Sequence, residues 1–114
     1  MDEIHLEVYE TSAGKRPFEI WLKGIKEVRT RAQILTRLDR LRLGNFGDSK
    51  TIQDGVSELR LHYGPGIRVY YGRIGNKVIL LLCGGDKGSQ EKDIAKAREC
   101  LKDYESRRVD YGKK

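Results

Sequence analysis

Six apolar residues stand in unbroken succession at Val78–Cys83, VILLLC, and the run stops at Gly84-Gly85. A run of this length is far too short to cross a bilayer. It suits a strand covered on both faces, because a half-exposed strand alternates apolar with polar. A domain built around it needs cover on two sides of a sheet. The rest of the chain has to supply that cover.

Ile4, Leu6 and Val8 alternate with His5, Glu7 and Tyr9, which predicts a first strand with one buried face. TSAGKRP reads as a turn, and Pro17 suits the first turn of a short helix, PFEIWLKGI, with Phe18, Trp21, Leu22 and Ile25 inward. A longer helix is expected from about Glu27 to Leu43, stopped by Gly44. Val28, Ile34, Leu35, Leu38 and Leu41 form its inward side, and Arg29, Gln33, Arg37 and Arg40 its outward side. The turn-rich NFGDSKTIQDG leaves room for a short edge strand. VSELRLHY alternates, with Leu59, Leu61 and Tyr63 on one face and Glu58, Arg60 and His62 on the other. IRVYYGRI follows after Gly-Pro-Gly, and Gly75-Asn76 is a two-residue hairpin signal before the apolar strand. A last helix is expected from Ser89, as N-cap, to about Ser106, with Ile94, Ala97, Leu101 and Tyr104 as its stripe. Residues 107–114 read as a fraying tail.

This order predicts an α+β fold: a mainly antiparallel sheet with two N-terminal helices packed on it and a C-terminal helix. At 114 residues the chain fits a single domain, 1–114, large enough to do without a metal or disulfide staple. Cys83 and Cys100 have no metal-ligand spacing and read as small core residues. The N-terminus lacks the pattern of a signal peptide, so a soluble cytoplasmic protein without membrane contact is expected.

Charge is uneven. Residues 1–57 carry ten Lys and Arg against nine Asp and Glu, whereas residues 58–114 carry thirteen against eight. A basic half suits an acidic partner, or serves as a solubilising surface. With Gly-Pro-Gly as a three-residue loop, Tyr63 pairs with Ile67, His62 faces Arg68, and Arg60 faces Tyr70, all on one sheet face. Such a cluster either binds an anion or is neutralised by Glu58 and nearby acids on a solvated face. Asp86-Lys87 follows the glycine hinge, with Gln90 and Lys92 in the first turn of the helix. This is either a phosphate-favouring helix start or a wet corner. Cleavage of a phosphodiester without a metal would need alignment of a ribose 2′-hydroxyl, charge stabilisation and proton transfer. Arginines would supply the charge and His62 the proton transfer. No HExxH, CxxC, serine elbow or dinucleotide fingerprint competes.

Gly55–Ala97, GVSELRLHYGPGIRVYYGRIGNKVILLLCGGDKGSQEKDIAKA, closely resembles the addiction-module killer proteins. These are type II toxin–antitoxin toxins of the RelE/HigB-like superfamily. The likeness lies in ELR, in GPG before Ile-Arg-Val-Tyr, in the apolar strand and in GGDKGSQ-x-x-DI-x-x-A. The opening strand and FEIWL extend it over nearly the whole chain. The resemblance implies a RelE-like fold and a ribosome-associated mRNA endoribonuclease that needs no metal or other cofactor. It implies a cognate helix-turn-helix antitoxin, with DNA contacted only indirectly through the antitoxin complex. Arg68 matches the phosphate-contacting arginine, while Arg60 and Lys87 lie where basic residues act. RelE itself has a catalytic tyrosine where this chain reads Gln90-Glu91-Lys92-Asp93. HigB-type toxins use histidine and acidic groups instead, so the resemblance implies proton-transfer roles for His62 or Asp86, with Tyr70, Gln90, Lys92, Asp93, Arg37 and Arg40 as RNA-binding candidates. A ParE-like gyrase toxin and a non-catalytic basic binding module are the alternative readings.

Overall fold

The structure, a computed structural model, describes residues 4–112, with side chains through Arg108. Five strands and three helices follow in the order β1 (His5–Val8), α1 (Pro17–Gly24), α2 (Val28–Arg42), β2 (Ser49–Gln53), β3 (Val56–Leu61), β4 (Ile67–Ile74), β5 (Val78–Asp86) and α3 (Gln90–Gly112). A 3₁₀ turn, Lys87–Ser89, joins β5 to α3. The fold is α+β, with one sheet ordered β1-β5-β4-β3-β2. Among the described residues only the β1–β5 pairing is parallel.

Strand β5 lies between β1 and β4 and is covered on both faces. On one side Ile79 and Leu81 join Leu59, Leu61, Ile67, Val69 and the inward residues of α1 and α2. On the other, Leu80, Leu82 and Cys83 pack with Tyr70 and with Ala97, Cys100 and Leu101 of α3. Tyr9, expected outward, is buried in this second cluster. Its hydroxyl donates to Asp103 Oδ2 at 2.6 Å, and Arg107 holds the same oxygen at 2.7 Å.

Helix α2 ends as its sequence dictates. Gly44 has φ +89°, Gly44 N–H donates to Leu41 O and Asn45 N–H to Arg40 O, which together form a Schellman cap. Its buried stripe is Thr30, Ile34, Leu38 and Leu41. Val28 and Leu35, expected inward, are exposed, because the stripe advances in steps of four and three residues from Thr30 and passes between them. Arg37, expected outward, is half-buried and donates to Arg60 O at 2.7 Å and Phe46 O at 3.1 Å.

Three turns differ from expectation. Leu61 pairs with Ile67, so the β3–β4 loop holds five residues rather than three, with Gly64 and Gly66 at positive φ. The register slips by two and the faces are kept, because side chains alternate with period two. Ile74 pairs with Val78, leaving the three residues Gly75, Asn76 and Lys77 in the β4–β5 loop. The cap of the last helical segment is Asp86, not Ser89: Asp86 Oδ1 accepts from Gly88 N and Ser89 N in a capping box. Helix α3 then continues to Gly112 and takes in most of the expected tail, where Arg107 also donates to Glu10 O at 2.7 Å. Residues 113 and 114 lie outside the described residues.

The glycine pair is no hinge. Gly84 and Gly85 are the extended last part of β5, without positive φ. They make room instead. A Cβ on Gly84 would collide with the Trp21 ring, and one on Gly85 with the Asp93 carboxylate. The strand thus admits an aromatic ring from α1 on one face and a carboxylate from α3 on the other.

Candidate functional site

The polar residues of the sheet collect where α3 begins. Arg60 lies opposite Arg68, and Glu58 opposite Tyr70. Arg68 in turn pairs with Gly85 of β5. Two arginines directly opposite repel each other unless an acid lies between them. Glu58 supplies it: Oε2 is 3.3 Å from Arg68 Nε and 3.6 Å from Arg60 Nε, and the carboxylate is completely buried. Its other oxygen accepts from Gln90 Nε2 at 2.9 Å, which ties the first turn of α3 to β3. Neither arginine Nε makes a hydrogen bond to Oε2, so the contact is ionic attraction at short range.

Sequence reasoning allowed Glu58 to neutralise the arginines on a solvated face. The neutralisation is present, but the face is covered, because α3 starts directly above it. Only 9% of the Arg68 side chain remains exposed, with Nη1 3.4 Å from Gly66 O. Arg60 keeps 30% and extends Nη2 to within 3.2 Å of Asp48 Oδ1. Arg68 and Lys87 are neighbours: a Cβ on Gly66 would lie 3.4 Å from Arg68 Nη1 and 3.5 Å from Lys87 Cβ. Lys87 itself is exposed in the 3₁₀ turn. An open groove of about 770 Å³ begins there, bounded by Lys87, Gly88, Ser89, Gln90, Glu91 and Lys92.

His62 does not face Arg68. It lies beyond the end of β3, where Nε2 meets Asp48 Oδ2 at 2.6 Å with 76% of the side chain exposed. The imidazole contact first, then Arg60, holds the Asp48 carboxyl below the ordinary carboxylate range. Asp48 was not singled out by sequence. The signal for it is Asp54-Gly55, both at positive φ, a hairpin turn that pairs Gln53 with Val56. Counting back from this turn, through the irregularity between Thr51 and Gln53, brings Ser49 to Leu59 and Asp48 to Arg60.

The remaining candidates divide. Tyr70 is completely buried and cannot touch a bound strand of RNA, because α3 covers its side of β4. Its hydroxyl finds no hydrogen-bond partner among the described residues. Burial first, then the Glu58 and Asp93 carboxylates, raises its pKa well above the ordinary phenol value. Asp93 accepts from Ser89 Oγ and fills the space over Gly85. Asp86 is occupied in capping. Arg37 is a strut between α2 and the β3 backbone, so it is not free to grip a ligand, whereas Arg40 and Lys92 are exposed. The structure therefore gathers Arg60, Arg68, Lys87, Gln90, His62 and Asp48 at one end of the sheet. Tyr70, Asp86 and Asp93 line that end from within, Arg37 reaches it from α2 as a brace on the Arg60 carbonyl, and Arg40 is exposed on α2. Among the described residues no helix is long and apolar enough to cross a membrane, and no three metal-ligating side chains converge.

Fold and site together define an α+β protein whose sheet carries a carboxylate-braced arginine pair at the start of its last helix. The chain belongs to one family with an uncharacterized protein of Haemophilus influenzae (strain ATCC 51907 / DSM 11121 / KW20 / Rd). The two are 47% identical over 81 residues, which cover 71% of this chain and 82% of that relative. No family model matches the chain.

Proposed function

We propose that the protein is a toxin of a type II toxin–antitoxin module with a RelE-like fold, acting as a ribosome-associated mRNA endoribonuclease. The observation that carries the reading is the cross-strand pair Arg60–Arg68, beside Lys87 at the start of α3. Three cations at one sheet end suit a phosphodiester, and guanidinium forks suit the charge that grows on phosphorus as it is attacked. His62 is exposed beside Arg60 through their shared partner Asp48, within reach of an incoming ribose hydroxyl. The resemblance of Gly55–Ala97 to the addiction-module killer proteins supports the same reading. A small helix-turn-helix antitoxin is then the natural inhibitor, and the exposed Arg40 and Lys92 are surfaces for RNA or for that antitoxin.

The bracing of Arg68 by buried Glu58 favours a second reading, a basic binding module without catalysis. One experiment separates the two. The chain is induced with and without the neighbouring reading frame, and mRNA 5′ ends are mapped. Growth arrest with new 5′ ends that vanish in Arg68→Lys, a variant that keeps the charge beside Glu58, supports the nuclease. Arrest with intact transcripts and damaged DNA points to a gyrase toxin. RNA binding without cleavage points to the binding module.

A further inference from the structure

We infer that Asp48 is a positioning residue of this site, holding His62 and Arg60 together as one unit in which His62 Nδ1 is the proton acceptor. The inference rests on the nuclease reading and adds to it a residue and a division of labour.

Three observations carry it. The first is placement. Arg60 N–H donates to Asp48 O at 2.9 Å, which seats Asp48 directly across from Arg60 at the mouth of the β2–β3 hairpin. The carboxylate is thus held by backbone pairing, on the same side of the sheet as the arginine it meets. The second is the split of its oxygens. Oδ1 lies 3.2 Å from Arg60 Nη2, and Oδ2 lies 2.6 Å from His62 Nε2. An ionised carboxylate only accepts, so Nε2 carries a hydrogen, and Nδ1 is the ring nitrogen left to take up a proton. The third is exposure. The His62 side chain is 76% exposed and Asp48 38%, while the Glu58 carboxylate on the other side of Arg60 is fully buried. The inner acid fixes the arginine in the sheet. The outer acid presents the histidine where a ligand can arrive.

The step this permits is balanced. Nδ1 takes the proton of a ribose 2′-hydroxyl as the 2′-oxygen forms its bond to phosphorus. The bond from phosphorus to the 5′-oxygen breaks, and that oxygen takes a proton from a water, whose hydroxide afterwards recovers the proton held on the imidazolium. The products are a 2′,3′-cyclic phosphate and a 5′-hydroxyl end. The imidazolium formed in this step stays paired with Asp48, so positive charge does not build up uncompensated beside Arg60.

The test is a double-mutant cycle on a short single-stranded RNA, with purified protein added to ribosomes programmed with that RNA. Single-turnover cleavage and RNA affinity are measured for wild type, Asp48→Asn, His62→Ala and the double variant. The ring N–H proton of His62 is followed by NMR without RNA. The expected result has four parts: a slowly exchanging ring N–H in the wild type that is lost in Asp48→Asn; cleavage on the order of 10²-fold slower in each single variant; a double variant no slower than His62→Ala; and RNA affinity that is not weakened. Additive losses would overturn the inference, since Asp48 would then act without His62. So would an Asp48→Asn variant as fast as wild type. A wild type that shows the ring N–H but leaves RNA intact would sink the nuclease reading and the catalytic role with it, while leaving the Asp48–His62 pair standing.

Discussion

The Trp21 ring fills the volume that a side chain at Gly84 would need, which makes the last part of β5 and helix α1 a single packed unit. Gly84→Ala should destabilise the protein by about 1–3 kcal/mol, because the ring must leave a position it also shares with Phe18, 5.7 Å away between centroids. Denaturant unfolding checks this. In a Trp21→Ala background the same substitution should cost much less, since the collision is gone.

Glu58 is the acid that both arginines share. Glu58→Ala leaves Arg68 buried without a counter-charge and Arg60 with Asp48 alone, and the expected loss of stability is about 3–5 kcal/mol. Glu58→Gln should cost less, because it keeps the shape and an oxygen for Gln90 Nε2. Equal midpoints for the two variants in urea would show that the charge of Glu58 is immaterial.

Tyr9 gives a pH-dependent signature. Burial, and then the hydrogen bond to Asp103, pushes its phenol from 10.0 up to about 12. The folded state therefore favours the protonated phenol. This contribution is fully present below pH 10 and is lost as pH rises through about 12. Stability measured in urea should fall across that window, and Tyr9→Phe should flatten the fall. It will not abolish it, because Tyr70 and Tyr104 are shifted in the same direction.

Both cysteines should be silent toward thiol reagents in the native state. Burial pushes the Cys83 thiol up to about 12 and also raises Cys100, so little thiolate exists at pH 8 and none of it is accessible. A disulfide reagent at pH 8 should label both rapidly in denaturant. In its absence, labelling should be limited by how often the second core opens. Fast native labelling would contradict the burial.

The sheet was legible where one face or both are apolar. VILLLC announced a doubly covered strand, and Gly44 a helix stop, because burial and backbone freedom leave direct marks on residue type. Pairing left none. The β3–β4 register was misplaced by two residues, a slip that returns every side chain to the same face and so cannot be seen in alternation. The consequence is large: alternation alone sets His62 against Arg68 and gives no sign of Asp48. Gly84 and Gly85 suggested a bend because glycine is permissive, but the reason for them is steric and lies in Trp21 and Asp93, which arrive from distant parts of the chain. Burial of Glu58 was equally hidden, since alternation assigns a face but does not say that α3 begins over it.

The parallel pairing of β1 with β5 has a consequence in time. His5 bonds beside Val78, residues separated by most of the domain, so the first strand has no partner until the fifth has been made. Each of the two cores also needs residues of β5. During synthesis the chain therefore stays without a closed sheet until its last third emerges, and contacts of such long sequence separation form slowly. Arg68 meets Gly85 in the same final event. A chain stopped short of β5 has neither a core nor a site, so the protein becomes competent all at once and late.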